Sequence, residues 1–242
     1  MADRPTAFTE TRAFATQATL IARHAFRPEP PAAGQNVVVL VHGFLAAAPV
    51  FDPLRARIAQ DLGWATLAFG YPSYGDFHAT AQRLADTLAE NVPEGSAVTL
   101  LGHSLGGLLA RWYVEELGGA PRVSRLVTVC TPHLGTSAAR LAPFGLAGAI
   151  RPDSDITRHL ASTRDPAGPS LHALAGARDT TVRPTSALGC EADTKHVVAG
   201  VGHNGILYAP HAQDHIVRAI AGGERRASGS TDGGSATGSL AS

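Results

Sequence analysis

The stretch that most constrains the fold lies at residues 97–110 and reads A-V-T-L-L-G-H-S-L-G-G-L-L-A. An apolar run of strand length is followed by Gly102-His103-Ser104-Leu105-Gly106, and helical spacing resumes from Gly107. G-x-S-x-G between a strand and a helix is a nucleophile elbow. Glycines two before and two after the serine let strand and helix approach closely, and the serine hydroxyl is held at the tip of a strained turn. Without that context the same five residues are only a glycine-rich turn. With it, the chain must supply an acid, a histidine and an oxyanion hole in a workable order.

The surroundings of the elbow repeat one pattern. Residues 36–41, N-V-V-V-L-V, have the β-branched content of a central parallel strand and end in His42-Gly43-Phe44. Further strands are expected at 65–69, 123–130, 171–177 and 196–201, with helices at 50–62, 76–91 and 212–221. This alternation predicts an α/β fold, a mostly parallel sheet flanked by helices with ligands at the carboxyl ends of its strands. Residues 134–170 break the rhythm with an apolar patch (Leu141, Phe144, Leu146, Ile150) and a polar, proline-containing segment, so a small inserted cap is expected there. An N-terminal region, 1–35, holds an amphipathic helix at 8–26 with Phe8, Phe14, Leu20, Ile21 and Phe26 as anchors, followed by a linker. The main domain spans 36–222, and the Gly/Ser-rich 223–242 reads as a disordered tail.

Composition closes several routes. At 242 residues and 44% hydrophobic content the chain fits one domain with a sizeable core, and its 20 acidic and 20 basic residues cancel, leaving no field for nucleic acid. The N-terminus, M-A-D-R-P-T, carries charge where an export signal needs an apolar core, so a cytoplasmic protein is expected, although a secreted chain trimmed of its signal would read alike. Cys130 and Cys190 fit no metal spacing; Cys130 reads as a core thiol, with a bridge between the two left open. His211, Asp214 and His215 share a helical turn, but lack the glutamate of a zinc-protease motif and read as a solvated face.

Two residues answer the demand set by the elbow. Asp179, in G-A-R-D-T-T-V, directly follows an apolar strand, and His203, in V-G-H-N-G, follows the last one between glycines. Ser104 is a poor nucleophile until an imidazole takes its proton, and a carboxylate must hold that ring in the right tautomer. The chain order serine, aspartate, histidine is that of an α/β-hydrolase sheet. Charge developing on the substrate oxygen needs backbone donors, for which the amides of Leu105 and Phe44 are placed.

Taken together, V-V-V-L-V-H-G-F, G-H-S-L-G-G, V-C-T-P-H-L-G-T, G-A-R-D-T-T-V and G-H-N-G-I-L resemble the α/β-hydrolase superfamily, and within it the bacterial triacylglycerol lipases and esterases and the inositol-deacylase-like lipases. The resemblance covers 36–220. It implies Ser104, Asp179 and His203 as catalytic residues and Phe44 and Leu105 as the oxyanion hole; the aspartate pair that holds calcium in some secreted bacterial lipases is not found in the sequence, and no cofactor or metal is expected. Substrate-binding residues are expected at His42, His133, Leu134, Phe144 and Leu146. The function implied is hydrolysis of a carboxylic ester with an apolar acyl chain, with transient contact to a lipid surface. Alternatives are the same triad used on an amide, thioester or polyester or for acyl transfer, and a non-catalytic hydrolase-fold binding protein.

Overall fold

The computed structural model describes residues 7–23, 31–141 and 145–222. The readings for the tail and for Phe8, Phe26 and Phe144 lie outside the residues or side chains it describes.

Six parallel strands form the sheet: β1 (Asn36–Val41), β2 (Ala65–Phe69), β3 (Ala97–His103), β4 (Val123–Val129), β5 (Ser170–Gly176) and β6 (Thr194–Val198), in the order β2-β1-β3-β4-β5-β6. Side chains of β1 alternate between two cores. Val37, Val39 and Val41 enter one, Val38 and Leu40 the other, which is why the strand is hydrophobic throughout. On the first face lie α3 (Phe77–Asn91), α4 (Leu105–Glu116) and α5 (Asp155–Leu160), with Leu84, Leu88, Leu108 and Leu160 buried. On the second lie α2 (Asp52–Leu62) and α7 (Pro210–Ala221), through Leu54, Ile58, Ile216 and Ile220. The N-terminal helix α1 (Ala7–Arg23) reaches the second core through Ile21. A short α6 (Pro184–Ala187) completes the set.

The strand order decides where a ligand can sit. After β1 the chain moves outward to β2, then returns to the other side of β1 to lay down β3 and everything beyond it. The connections above β1 and β3 therefore leave in opposite directions and open a crevice at the carboxyl edge. His42-Gly43-Phe44 stands on one side of it and Ser104 on the other.

Local chemistry explains where the elements begin and stop. Asp76 caps α3 by accepting the Ala79 N–H at 2.9 Å, and Gly63 ends α2 at φ 66°. The helix expected from residue 50 begins instead as a 3-10 turn, Ala48–Phe51, because Pro49 and Pro53 each favour a fresh helical start. The last strand ends at Val198 rather than 201, since the chain turns at Gly200 with φ 74°.

Between β4 and β5 the described residues of 134–169 form 3-10 turns at Ser137–Leu141 and Gly145–Ile150, then α5. Leu146, Ala149, Ile150, Ile156 and Leu160 sink into the same core as α3 and α4, while Leu141 is 89% exposed. Cys130 and Cys190 are both free, so the bridge left open by the sequence is not formed. Among the described residues no helix is long and apolar enough to cross a membrane.

Candidate active site

The elbow is tighter than its sequence suggests. Strand β3 runs to His103 and α4 starts at Leu105, so Ser104 alone makes the turn, at φ 53° and ψ −125°. A non-glycine residue in this conformation is strained and must be held by its surroundings. The flanking glycines supply the room: a Cβ at Gly102 would sit 2.4 Å from the Gly107 Cα, and one at Gly106 would sit 2.0 Å from the Val41 carbonyl oxygen. Helix α4 thus lies directly on β1 and β3.

Above the elbow three side chains from three strand ends form one relay. His203 Nε2 lies 3.0 Å from Ser104 Oγ, and its Nδ1 lies 2.7 Å from Asp179 Oδ2. The other oxygen of Asp179 accepts the N–H groups of Thr181 and Val182, each at 2.8 Å. Burial opposes ionisation of this carboxyl, but the His203 hydrogen bond and charge and the Val182 amide outweigh it and hold Asp179 below the ordinary carboxylate range. An ionised Asp179 accepts from Nδ1–H, which leaves Nε2 as the lone-pair nitrogen facing the serine.

His203 is steadied from two directions. Its carbonyl lies 2.9 Å from His103 Nε2, and burial, then the proximity of His203, push His103 down to about 3, so His103 is neutral and can donate there. On the residues that follow it, Glu10 of α1 accepts the N–H groups of Asn204 and Gly205 at 3.2 and 2.9 Å.

The groups that could meet a substrate oxygen come from both sides of the crevice. Leu105 follows Ser104 at the first position of α4. The Gly43 backbone runs so close that a Cβ there would lie 3.0 Å from the Ser104 Cβ, which brings Phe44 to the same opening. A cavity of about 230 Å³ opens over Ser104 and His203, with apolar walls from Phe14, Phe44, Leu45, Ala147, Ile150 and Val182. Thr136, Gln17 and Asn204 add polar edges. A larger groove, about 360 Å³, lies between β5, β6 and α7 and is lined by His172, His196, His215 and Arg218. No serine lines it, whereas Ser104 and His203 both line the smaller cavity.

Four expected substrate contacts sit elsewhere. His42 is fully buried, stacked on Tyr71 with ring centroids 4.1 Å apart, and bound through Nδ1 to the Gly43 carbonyl, so it braces the turn beneath Phe44. Desolvation lowers it to about 4 despite that bond. His133 is buried against Arg111 and Thr128, each at 3.2 Å. Leu134 is half exposed, lies against Gly189, and is tied through its N–H to Ser186. Leu146 is core. Phe14, expected as an anchor of the first helix, is 59% exposed and lines the cavity.

One group among the described residues could approach a metal: the ligand atoms of Cys130, Asp179 and His203 lie within 4.8 Å of one another. Its members are already engaged. Burial raises the Cys130 thiol well above its ordinary value, and Asp179 and His203 bind each other. His211, Asp214 and His215 do not converge; they meet Ala199, Arg57 and Arg218 respectively.

Comparison with known proteins agrees on the architecture. Residues 36–119 match the model of a thioesterase domain. Among solved structures, the mature lipase BlEst2 of Bacillus licheniformis is 17% identical, with 75% of this chain and 90% of that chain covered and a TM-score of 0.60. Mouse alpha/beta hydrolase domain-containing protein 10 is 16% identical over 81% and 90%, with a TM-score of 0.57. The RedJ thioesterase of the prodiginine pathway in Streptomyces coelicolor is 19% identical over 80% and 91%, with a TM-score of 0.54. The parallel six-stranded sheet flanked by helices is the α/β-hydrolase fold.

Proposed function

We propose that this protein is a serine hydrolase that cleaves carboxylic esters through an acyl-enzyme. The observation that carries the reading is the Ser104, His203, Asp179 relay at the floor of an apolar cavity. Ser104 Oγ attacks the substrate carbonyl carbon as its proton passes to His203 Nε2, and the imidazolium so formed is stabilised by Asp179. The oxyanion is received by the Phe44 and Leu105 amides. Collapse of the tetrahedral species breaks the carbonyl-to-oxygen bond, and His203 returns its proton to the leaving alcohol. Water, deprotonated by His203, then releases the acid and regenerates Ser104. No cofactor takes part.

The walls of the cavity favour an aliphatic acyl chain over a charged or sugar-like group. Within the superfamily we assign the chain to the bacterial lipase and esterase group, with the inositol-deacylase-like lipases, on the motifs around Ser104 and Thr131-Pro132-His133. The thioesterase-domain match supports a second reading, in which the leaving group is a thiol. The same relay serves both, since a thiol leaves more readily than an alcohol and asks less of His203 as acid.

A matched series settles the choice: p-nitrophenyl esters from acetate to palmitate against acyl thioesters of the same chain lengths. The ester reading expects a higher kcat/KM with the esters at most chain lengths. A thioester preference of tenfold or more would transfer the function to the second reading, and inactivity on both series would end the hydrolase reading.

A further inference from the structure

The ring of His203 has to keep its two nitrogens aimed at Ser104 and Asp179, yet it sits in Val201-Gly202-His203-Asn204-Gly205, a loop with little stiffness of its own. What surrounds that loop is therefore informative. The Glu10 carboxylate arrives from 194 positions away. Its Oε2 accepts the Asn204 N–H and its Oε1 the Gly205 N–H, and Oε1 also lies against Gly202, where a Cβ would come within 2.5 Å. One carboxylate so touches the residue before His203 and both residues after it. Those two amides open the 3-10 turn Gly205–Leu207, and a charged acceptor there makes stronger bonds than a neutral one. Among the described residues Glu10 forms no salt bridge that would draw it away.

We propose that Glu10 is a positioning residue for the reaction, its carboxylate fixing the His203 loop by gripping the Asn204 and Gly205 amides. This rests on the reading of His203 as the base. The N-terminal helix is then a working part of the site. It carries Glu10 to the loop and, one and two turns further on, Phe14 and Gln17 to the wall of the cavity. Displacement of a reacting group by about 1 Å can cost on the order of a hundredfold in rate, so loosening this loop acts on turnover.

The test uses Glu10→Ala and Glu10→Gln in the full chain, with Arg12→Ala, exposed on the same helix, as control. Glutamine keeps one acceptor oxygen but turns an NH2 group toward the other amide, so it only partly replaces the carboxylate. Two rates are read: labelling of Ser104 by a fluorophosphonate, which needs an oriented His203 but no natural substrate, and hydrolysis of p-nitrophenyl butyrate.

Labelling and kcat are expected to fall at least tenfold in Glu10→Ala and severalfold in Glu10→Gln, with KM within twofold and partial recovery of Glu10→Ala in added formate. The Arg12 variant stays at the wild-type rate. A rate within twofold of wild type in either Glu10 variant overturns the proposal. So does a loss confined to KM, which would make the helix a wall and nothing more. Should Glu10→Ala fail to fold, hydrogen exchange in the wild type decides: the Asn204 and Gly205 amides are expected to be protected, and exchange at the rate of exposed amides overturns the proposal. Wild-type Ser104 that resists labelling would bring down the serine-hydrolase reading itself. Normal labelling of both wild type and variants would bring down the role of Glu10 alone.

Discussion

The elbow and the N-terminal helix both bear on Ser104 and His203, but they do so by opposite means. At the elbow everything is local: five consecutive residues place a serine in a strained conformation, and the glycines on either side are dictated by a helix that lies within van der Waals distance of two strands. At the helix everything is distant. Glu10 and Phe14 matter only because α1 folds back across the carboxyl edge of a sheet whose strands begin at residue 36. A site built by short-range geometry announces itself in a motif. One completed by docking does not.

The local geometry of the elbow is tested most severely at Gly106. Replacing it by alanine sets a methyl group 2.0 Å from the Val41 carbonyl oxygen, and backbone cannot yield as a flexible side chain would. Overpacking of this kind costs about 3 kcal/mol or more, so Gly106→Ala is expected to lower the urea midpoint markedly and to abolish hydrolysis. A stable, active Gly106→Ala protein would mean that the elbow is not held as described.

Acid should separate the two regions next. His42 and His103, which brace the two sides of the crevice, are held neutral to about 4 and about 3, mainly by burial. Their folded values lie below the unfolded value near 6.5, so the unfolded chain takes up protons that the folded chain refuses. The stability they contribute is complete above about pH 6.5 and is lost as pH falls toward their folded values, at about 1.4 kcal/mol per pH unit for each histidine. Asp179, held below its usual range, adds a loss only below about pH 4. Urea midpoints measured at pH 7 and pH 5 should therefore fall with pH; a flat profile contradicts the buried, neutral histidines.

The smallest effect is expected at the mouth of the cavity. Phe14→Ala removes an exposed wall and should raise KM for octanoyl and longer p-nitrophenyl esters about threefold to tenfold, leaving acetate nearly unchanged, since only the longer chains reach that far. Equal effects on both chain lengths would separate the helix from acyl binding.

These differences also explain what the sequence made legible. The strands, the elbow, the aspartate after β5 and the histidine after β6 each follow from periodicity and from a turn placed at a strand end, and the structure brings Ser104, Asp179 and His203 together. His42 and His133 follow the same positional rule and mislead, because a histidine at a strand end can as well turn inward. His42 stacks on Tyr71, a residue 29 positions on, and His133 meets Arg111. Leu146 misleads for a related reason: an apolar residue above a site can fall toward the core as readily as toward the substrate. Glu10 left no local trace at all, being an ordinary acid in the first turn of an amphipathic helix.

The role proposed for Ser104, activated by His203, is that of nucleophile in an acyl-transfer reaction. It is met most directly by hydrolysis of p-nitrophenyl esters by the wild type and by Ser104→Ala, each shown to be folded. The substitution is expected to lower kcat by about 10⁴-fold or more while leaving the fold and the cavity intact. Hydrolysis that survives the loss of the Ser104 hydroxyl would contradict it.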